Sequence, residues 1–420
     1  LQKYISNGVS LNTIHDDKFK TITITCDLIE PLNINNFEKR ALLSELFETN
    51  NADYPTQTKL ARQLSKMYGA SFGTNLLRYG NLSVIRINLS IPNPEFIPGN
   101  SSSLLKDAIQ FLNSILMHPL ISNNAFDNDT FNLQKSNMQK YISSVADDKQ
   151  YYASIKLKKS YYQDDINRGK FLFGDVDQYD KINSSDEYKY YQDVIKDNNI
   201  RISALGKFDD DKLISYINEI NLSDRDEIYK IDCFKHNDNA IEYITENTNA
   251  TQSNLNMAYN LPIYYDSNDF FAALLFNAIF GGSAQSKLFK NVREKYSMAY
   301  YANSMFNSLN GVIMVNSGID ANNAEKVQSI INEQLVSIQN KDINLDILNS
   351  IKSEMITAKR SILDNPRQSL EQSFVNSLLN KKWNFEKWRK NIESINVDQI
   401  ANVAKKVQLQ TVFLLKGDNK

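Results

Sequence analysis

The segment QTKLARQLSKMYGASFGTNLLRYGNLSVIRIN at 57–88 returns at 285–316 as QSKLFKNVREKYSMAYYANSMFNSLNGVIMVN, without a gap and at a constant offset of 228. Gln57/Gln285, Lys59/Lys287, Leu60/Leu288, Tyr68/Tyr296, Asn75/Asn303, Val84/Val312, Ile85/Ile313 and Asn88/Asn316 are identical, and Thr58/Ser286, Arg62/Lys290, Leu64/Val292, Phe72/Tyr300 and Ile87/Val315 keep their chemical type. A chain that repeats itself this way holds two copies of one fold, usually related by a pseudo-two-fold axis. Equivalent positions that differ mark where the copies have taken different work. A chain of 420 residues is also too long for one core and suits two domains of about 200 residues. The expected division is 1–220 and 241–420. The polar stretch 221–240, NLSDRDEIYKIDCFKHNDNA, has no strong period and fits the linker.

Periodicity sets the fold class. Residues 18–28 alternate Phe19, Ile22, Ile24, Cys26 and Leu28 with one slip, as a half-buried strand preceded by a hairpin would. Helical spacing appears over 38–48 (Ala41, Leu42, Leu43, Leu46, Phe47), 58–68 and 104–117, while 82–91 alternates again before the breaker IPNPEFIPGNSSS, read as a surface insertion near 92–103. Ser184-x-x-Glu187 predicts a capping box before the strand 200–205, and Asn396-x-x-Gln399 before the strand 411–415. Strands in runs with helices grouped between them indicate an α+β protein of two homologous domains. Each is expected to be a mostly antiparallel sheet with helices on one side.

Composition removes several function classes. A net charge of −2, a pI near 6.1 and no basic stripe leave no electrostatic footprint for nucleic acid. Cys26 and Cys233 stand far apart, which argues against a disulfide framework or a thiol-rich metal site and for a reducing compartment. The stretch 270–280, interrupted by Asn277, is too short to span a bilayer, and the opening LQKYISNGVS lacks a charged segment followed by an apolar one. The expectation is a soluble, cytoplasmic, bacterial protein without a membrane partner.

The order of strands, helix and Tyr-Gly-Ala turn, followed by GGSAQSKLFKNVREKYSMAY, resembles the insulinase, pitrilysin and mitochondrial-processing-peptidase superfamily of zinc metallopeptidases across essentially the whole chain. The matching positions in the second run are Gly281, Gly282, Ser286, Leu288, Phe289, Arg293, Glu294, Lys295, Ala299 and Tyr300. Catalytic members carry His-x-x-Glu-His on the first long helix, two His on one helix face holding zinc and the Glu activating water. Here the resemblance puts Ala41 and Glu45 at the His positions and Ser44 at the base position, with Tyr141 at the third ligand and Gln134 at a supporting acid. No cofactor is expected, because zinc needs three or four close ligands and the three His, at 15, 118 and 236, are scattered. His118, before Pro119, is either a ligand or a helix-end residue meeting the dipole, and the second is favoured. His15 and His236 lie in polar segments and read as solvated.

Arg293 and Tyr300 are different. Alone they read as an Arg at a helix end and a half-buried strand Tyr. Their counterparts are Ser65 and Phe72, so the fold itself requires neither a guanidinium nor a phenol. The resemblance implies that this pair reaches a substrate carbonyl. Gly281-Gly282-Ser283 lacks the Walker spacing and reads as a helix stop followed by a new cap, bordering the chamber in the family. Together these imply a degenerate, non-catalytic subunit of a heterodimeric peptidase. Its partner would be a homologous subunit with His-x-x-Glu-His that carries the zinc, and the two would enclose a peptide substrate. The alternative is a structural or peptide-binding homodimer without proteolysis. An autonomous peptidase with another nucleophile is poorly supported, since no Ser-His or Cys-His pairing stands out.

Overall fold

A computed structural model describes residues 2–98, 103–237, 240–296, 298–381 and 383–418. The first repeat runs β1 (Gln2–Ser6), β2 (Val9–His15), β3 (Thr21–Pro31), α1 (Phe37–Thr49), α2 (Gln57–Lys66), β4 (Ser71–Tyr79), β5 (Leu82–Pro92) and α3 (Leu104–Met117). A small hairpin, β6 (Ile121–Ser122) and β7 (Ala125–Phe126), precedes α4 (Asn128–Ser144), α5 (Lys149–Tyr161), α6 (Ile166–Gly169), α7 (Val176–Tyr179), α8 (Ser184–Asp197), β8 (Asn199–Gly206) and α9 (Asp210–Asn218). The second repeat runs β9 (Glu242–Asn247), β10 (Ser253–Asn260), α10 (Phe270–Asn277), two π-helical segments, π1 (Ala278–Gly282) and π2 (Leu288–Lys295), then β11 (Ala299–Asn307) and β12 (Val312–Ile319). It closes with α11 (Ala324–Gln339), α12 (Leu345–Ile362), α13 (Pro366–Leu378), α14 (Phe385–Ser394), α15 (Val397–Ala404) and β13 (Gln408–Lys416).

The sheets repeat one topology. Among the described residues one has the order β1-β2-β8-β3-β5-β4 and the other β11-β12-β10-β13-β9, so β4 and β11 are equivalent edges. Pairing is antiparallel except for β2 with β8 and β9 with β13. Contacts divide the chain into two compact units. One is Leu1–Ser143 with Phe171–Ile231 and Leu363–Leu378; the other is Ser144–Lys170 with Asp232–Ile362 and Leu379–Lys420. Thus α13 belongs to the unit of the first sheet and α5 to that of the second.

This exchange corrects the expectation of helices on one side only. In the first unit Ile22, Ile24, Cys26 and Leu28 face a core shared with α1, α3 and α8, but the opposite face of β3 is also buried. There Ile29, Leu82, Val84 and Phe374 of α13 form a second cluster. Asp27 is buried on that face and accepts from Arg86 Nε at 2.5 Å, and Arg86 Nη1 also pairs with Glu371 of α13. Burial pushes the Asp27 carboxyl up to about 6 while Arg86 pulls it back. In the second unit Ala153, Leu157 and Tyr161 of α5 pack on Ala258, Met314 and Phe413. Tyr152 Oη donates to Glu246 (2.5 Å), Lys156 pairs with the same carboxylate (3.1 Å), and Ser154 Oγ donates to Asn316 (3.3 Å).

Helix ends follow local chemistry. Asn396 forms the expected capping box with Gln399. The box expected at Ser184 is not formed: Asn183 is the cap and accepts from the N–H groups of Ser185 and Asp186, one residue earlier. Glu187 is therefore free of capping work and turns inward. The stretch expected as an insertion begins with β5 running on to Pro92 and a turn at Pro94–Phe96; 99–102 lie outside the described residues.

Glu187 is fully buried and neither carboxyl oxygen has a hydrogen-bond partner among the described residues. Burial drives its pKa well above the ordinary value, with Lys39 opposing. A raised folded-state pKa means the folded protein holds the proton longer than the unfolded chain. Stability from this residue is complete below the ordinary carboxyl pKa and is lost as pH rises toward the raised folded value. Glu187→Gln should therefore stabilise the protein at pH 8, by on the order of 1–3 kcal/mol, with a smaller gain at pH 4.5. Thermal unfolding across that range checks it, and a gain independent of pH would contradict the assignment.

Candidate functional site

The face of α1 that would carry a metal motif is a packed interior. Ala41 is fully buried in the core of the first unit. Ser44 is buried, with its hydroxyl 3.2 Å from Thr74 Oγ1 of β4. Thr74 N–H donates to Glu48 Oε2 (2.8 Å), so the end of α1 is stitched to the edge strand. Glu45 is half-buried, and burial followed by the Glu48 charge holds its carboxyl above the usual range. Tyr141 is exposed on α4 and packs edge-on against Phe173 with centroids 5.2 Å apart, whereas Gln134 is buried. Among the described residues no group of three or more His, Cys, Asp or Glu could hold a metal. Zinc does not fit this donor set: two of the four aligned positions are a methyl and a hydroxyl, and one is a phenol.

The histidines stand at three separate places. His118 is the C-cap of α3, with Nδ1 2.7 Å from Asp53 Oδ2, and the hydrogen bond to His118 draws the Asp53 carboxyl below its usual range. His15 lies 3.0 Å from Asp210 and against Phe208, and His236 lies against Tyr161. No helix is long and apolar enough to cross a membrane among the described residues.

The corresponding region of the second repeat is irregular instead of sealed. Gly281 and Gly282 do not stop the helix by a left-handed turn: neither has positive φ, and both lie within π1. The helical run does end at Gly282, with Ser283 extended, but what requires glycine here is close approach. A Cβ on Gly281 would sit 2.7 Å from the backbone N and Oγ of Ser304 on β11, and one on Gly282 would sit 2.5 Å from Asn277 Nδ2. Ser283 Oγ is buried without a partner among the described residues, and just before π2 Ser286 Oγ accepts from Phe289 N–H (3.3 Å).

Arg293 lies exposed on π2, its guanidinium 4.7 Å from the ring centre of Phe289. The i→i+5 geometry of π2 continues past it, with Tyr296 N–H donating to Asn291 O (3.1 Å). Seven residues on, Ala299 pairs with Ile319 and Tyr301 with Gly318, leaving Tyr300 as the extra residue of a β-bulge. Tyr300 is 65% exposed and its hydroxyl lies 3.4 Å from Asp320 Oδ1, a weak contact. The first repeat has neither device. Ser65 sits on the regular helix α2, and Phe72 lies in an unbulged strand, edge-on to Phe111 at 5.1 Å. Bulges and π turns recur where a side chain must be re-aimed, and here they carry Arg293 and Tyr300, whose counterparts are Ser65 and Phe72.

The family description "Peptidase M16 inactive domain" matches residues 181–355. A Bacillus subtilis (strain 168) protein named probable inactive metalloprotease YmfF is 28% identical over 98% of this chain and 96% of its own length. The uncharacterized zinc protease YmxG of the same strain is 23% identical over 32% of this chain and 34% of its own. A solved structure described as a conserved protein from Enterococcus faecalis V583 superposes with a TM-score of 0.96 at 32% identity, covering 100% of this chain and 99% of that one.

Because Gly281 is required by contact and not by φ, Gly281→Ala should cost about 1–3 kcal/mol through collision with β11. Gly69→Ala, where a Cβ meets nothing within 4 Å but φ is +74°, isolates the backbone effect. Chemical denaturation of both variants checks this; an unaffected Gly281→Ala would remove the contact argument.

Proposed function

We infer that this chain is a member of the insulinase (M16) peptidase family that is not a peptidase by itself, and propose that it serves as the non-catalytic subunit of a heterodimeric zinc peptidase. A homologous partner carries zinc and general base. This chain supplies half of a peptide-enclosing chamber and presents Arg293 and Tyr300 to the substrate carbonyl. The guanidinium and phenol would donate hydrogen bonds to the carbonyl oxygen, most strongly as negative charge develops there. The loop Gly281–Ser283 would border the chamber.

The observation that carries this reading is the coincidence of two backbone irregularities with the two donors, on a repeat whose twin has regular backbone, Ser65 and Phe72. The sealed α1 face supports it from the other side, because a half-site without metal is useful only if another chain provides one. That one bacterial strain holds similar proteins named inactive metalloprotease and zinc protease is consistent with such a pair.

The purified chain should bind no stoichiometric zinc and cleave no peptide. Metal analysis decides it, and chelator-sensitive hydrolysis by the isolated chain would defeat the proposal. With the zinc-bearing partner added, Arg293→Ala or Tyr300→Phe should lower kcat by roughly 10²-fold while leaving thermal stability unchanged. Ser65→Ala and Phe72→Tyr should leave turnover unaltered. If the partner reaches full turnover without this chain, a structural or peptide-binding homodimer becomes the better reading.

A further inference from the structure

The two repeats pair equivalent strands in different registers. Across β4–β5 Asn88 faces Gly73, but its counterpart Asn316 faces Asn303 across β11–β12. Thirteen positions separate buried Leu60 from Gly73, and fifteen separate buried Leu288 from Asn303. A slip of two keeps each side chain on its own face, so the sheet can accept it. The chain upstream must still place two more residues. A bulge takes up one, and each i→i+5 turn takes up about one residue more than an i→i+4 turn. Those are the two irregularities observed: Tyr300 is the bulged residue and Arg293 rides on the π turns.

The turn accounts for the slip. β4–β5 reverses at Gly80, with φ +57°, followed by Asn81. The aligned positions in the second repeat are Ser308 and Leu309, and the left-handed residue is Gly311, with φ +58°, aligned with Ser83. Asn307 Oδ1 accepts from the N–H groups of Leu309 (3.0 Å) and Asn310 (3.2 Å), closing an Asx turn. The loop is also pinned from outside the hairpin. Arg168 Nη1 donates to Asn310 Oδ1 (2.7 Å), and Leu261 N–H donates to Gly311 O (2.8 Å).

We propose that Asn307 and Gly311 are positioning residues for Arg293 and Tyr300. By fixing β11 two residues out of the first repeat's register, the turn creates the slack that π2 and the bulge absorb, and so holds the phenol outside the sheet. This rests on the reading of Arg293 and Tyr300 as carbonyl donors, but the register can be measured independently of it.

The test is disulfide trapping in a Cys233→Ser background. Residues directly opposite on antiparallel strands have Cα atoms about 4.5–5.5 Å apart, within disulfide reach. Asn303→Cys with Asn316→Cys should oxidise readily, and Tyr301→Cys with Asn316→Cys should not. Exchanging the turn for that of the first repeat (Ser308→Gly, Leu309→Asn, Asn310→Leu, Gly311→Ser) should reverse the preference. In the same variant nitration of Tyr300 by tetranitromethane should fall several-fold, and kcat of the reconstituted pair should drop roughly 10²-fold at unchanged KM. Asn307→Ala, which removes only the Asx bonds, is the milder variant and should weaken the preference even if the full exchange does not fold. Retention of the Asn303/Asn316 preference and of full Tyr300 nitration in these variants would overturn the proposal. A reversed register with protected Tyr300 and unchanged kcat would support the positioning argument and sink the carbonyl-donor reading instead.

Discussion

Arg86 joins Asp27, buried on the second face of the first sheet, to Glu371 on α13, and that face depends on the link. Without α13 the Asp27–Arg86 pair would remain, but Arg86 would lose Glu371 and the apolar cluster on this face would lose Phe374. Phe374 completes the seal, with the guanidinium carbons of Arg86 and Arg201 at 4.6 and 5.6 Å from its ring centre. The second sheet is closed in the same manner with different chemistry, Glu246 receiving Tyr152 and Lys156 of α5. Each sheet is thus completed by a helix from the other sequence repeat. The duplicated sequence unit and the compact structural unit are not the same thing, and neither repeat carries a complete set of its own layers.

With both sheet faces occupied, the edges and the helix ends beside them are what remain to differ. At β4 the edge is knitted to α1 through short polar contacts among Thr74, Ser44 and Glu48. At β11 the neighbouring helix makes its approach with glycine backbone at Gly281, and the strand bulges outward at Tyr300. One copy has spent its variation on packing and the other on presenting side chains.

Much of this was legible in the sequence because it is local. The 3.6 period of 104–117 marks α3 to the residue, and Asn396-x-x-Gln399 forms its box. The burial of β3 on both faces was not, because the helix that covers Thr25 and Asp27 lies more than 330 residues further along the chain. The box at Ser184 failed for a local reason that sequence could have resolved: Asn183 is an equally good cap one residue earlier. The bulge at Tyr300 is hidden by the ungapped alignment of the repeats, which reads as identity of structure. The visible signal was the turn glycine, at Gly80 in one copy and at the position of Ser83 in the other, since a left-handed residue fixes where a hairpin reverses.

The same packing opposes placing a metal motif on α1 by substituting the side chains at 41, 44 and 45. Ala41 has no exposed surface, so an imidazole there must displace its neighbours in a packed core. Ser44 and Glu48 hold Thr74 of the edge strand, so a Glu at 44 must give up the Ser44–Thr74 hydrogen bond, and burial there would raise its pKa when a base needs it ionised. Tyr141 faces Phe173 and solvent, leaving the third ligand unplaced even if the first two were restored. At these positions the packing stands in the way of metal ligands.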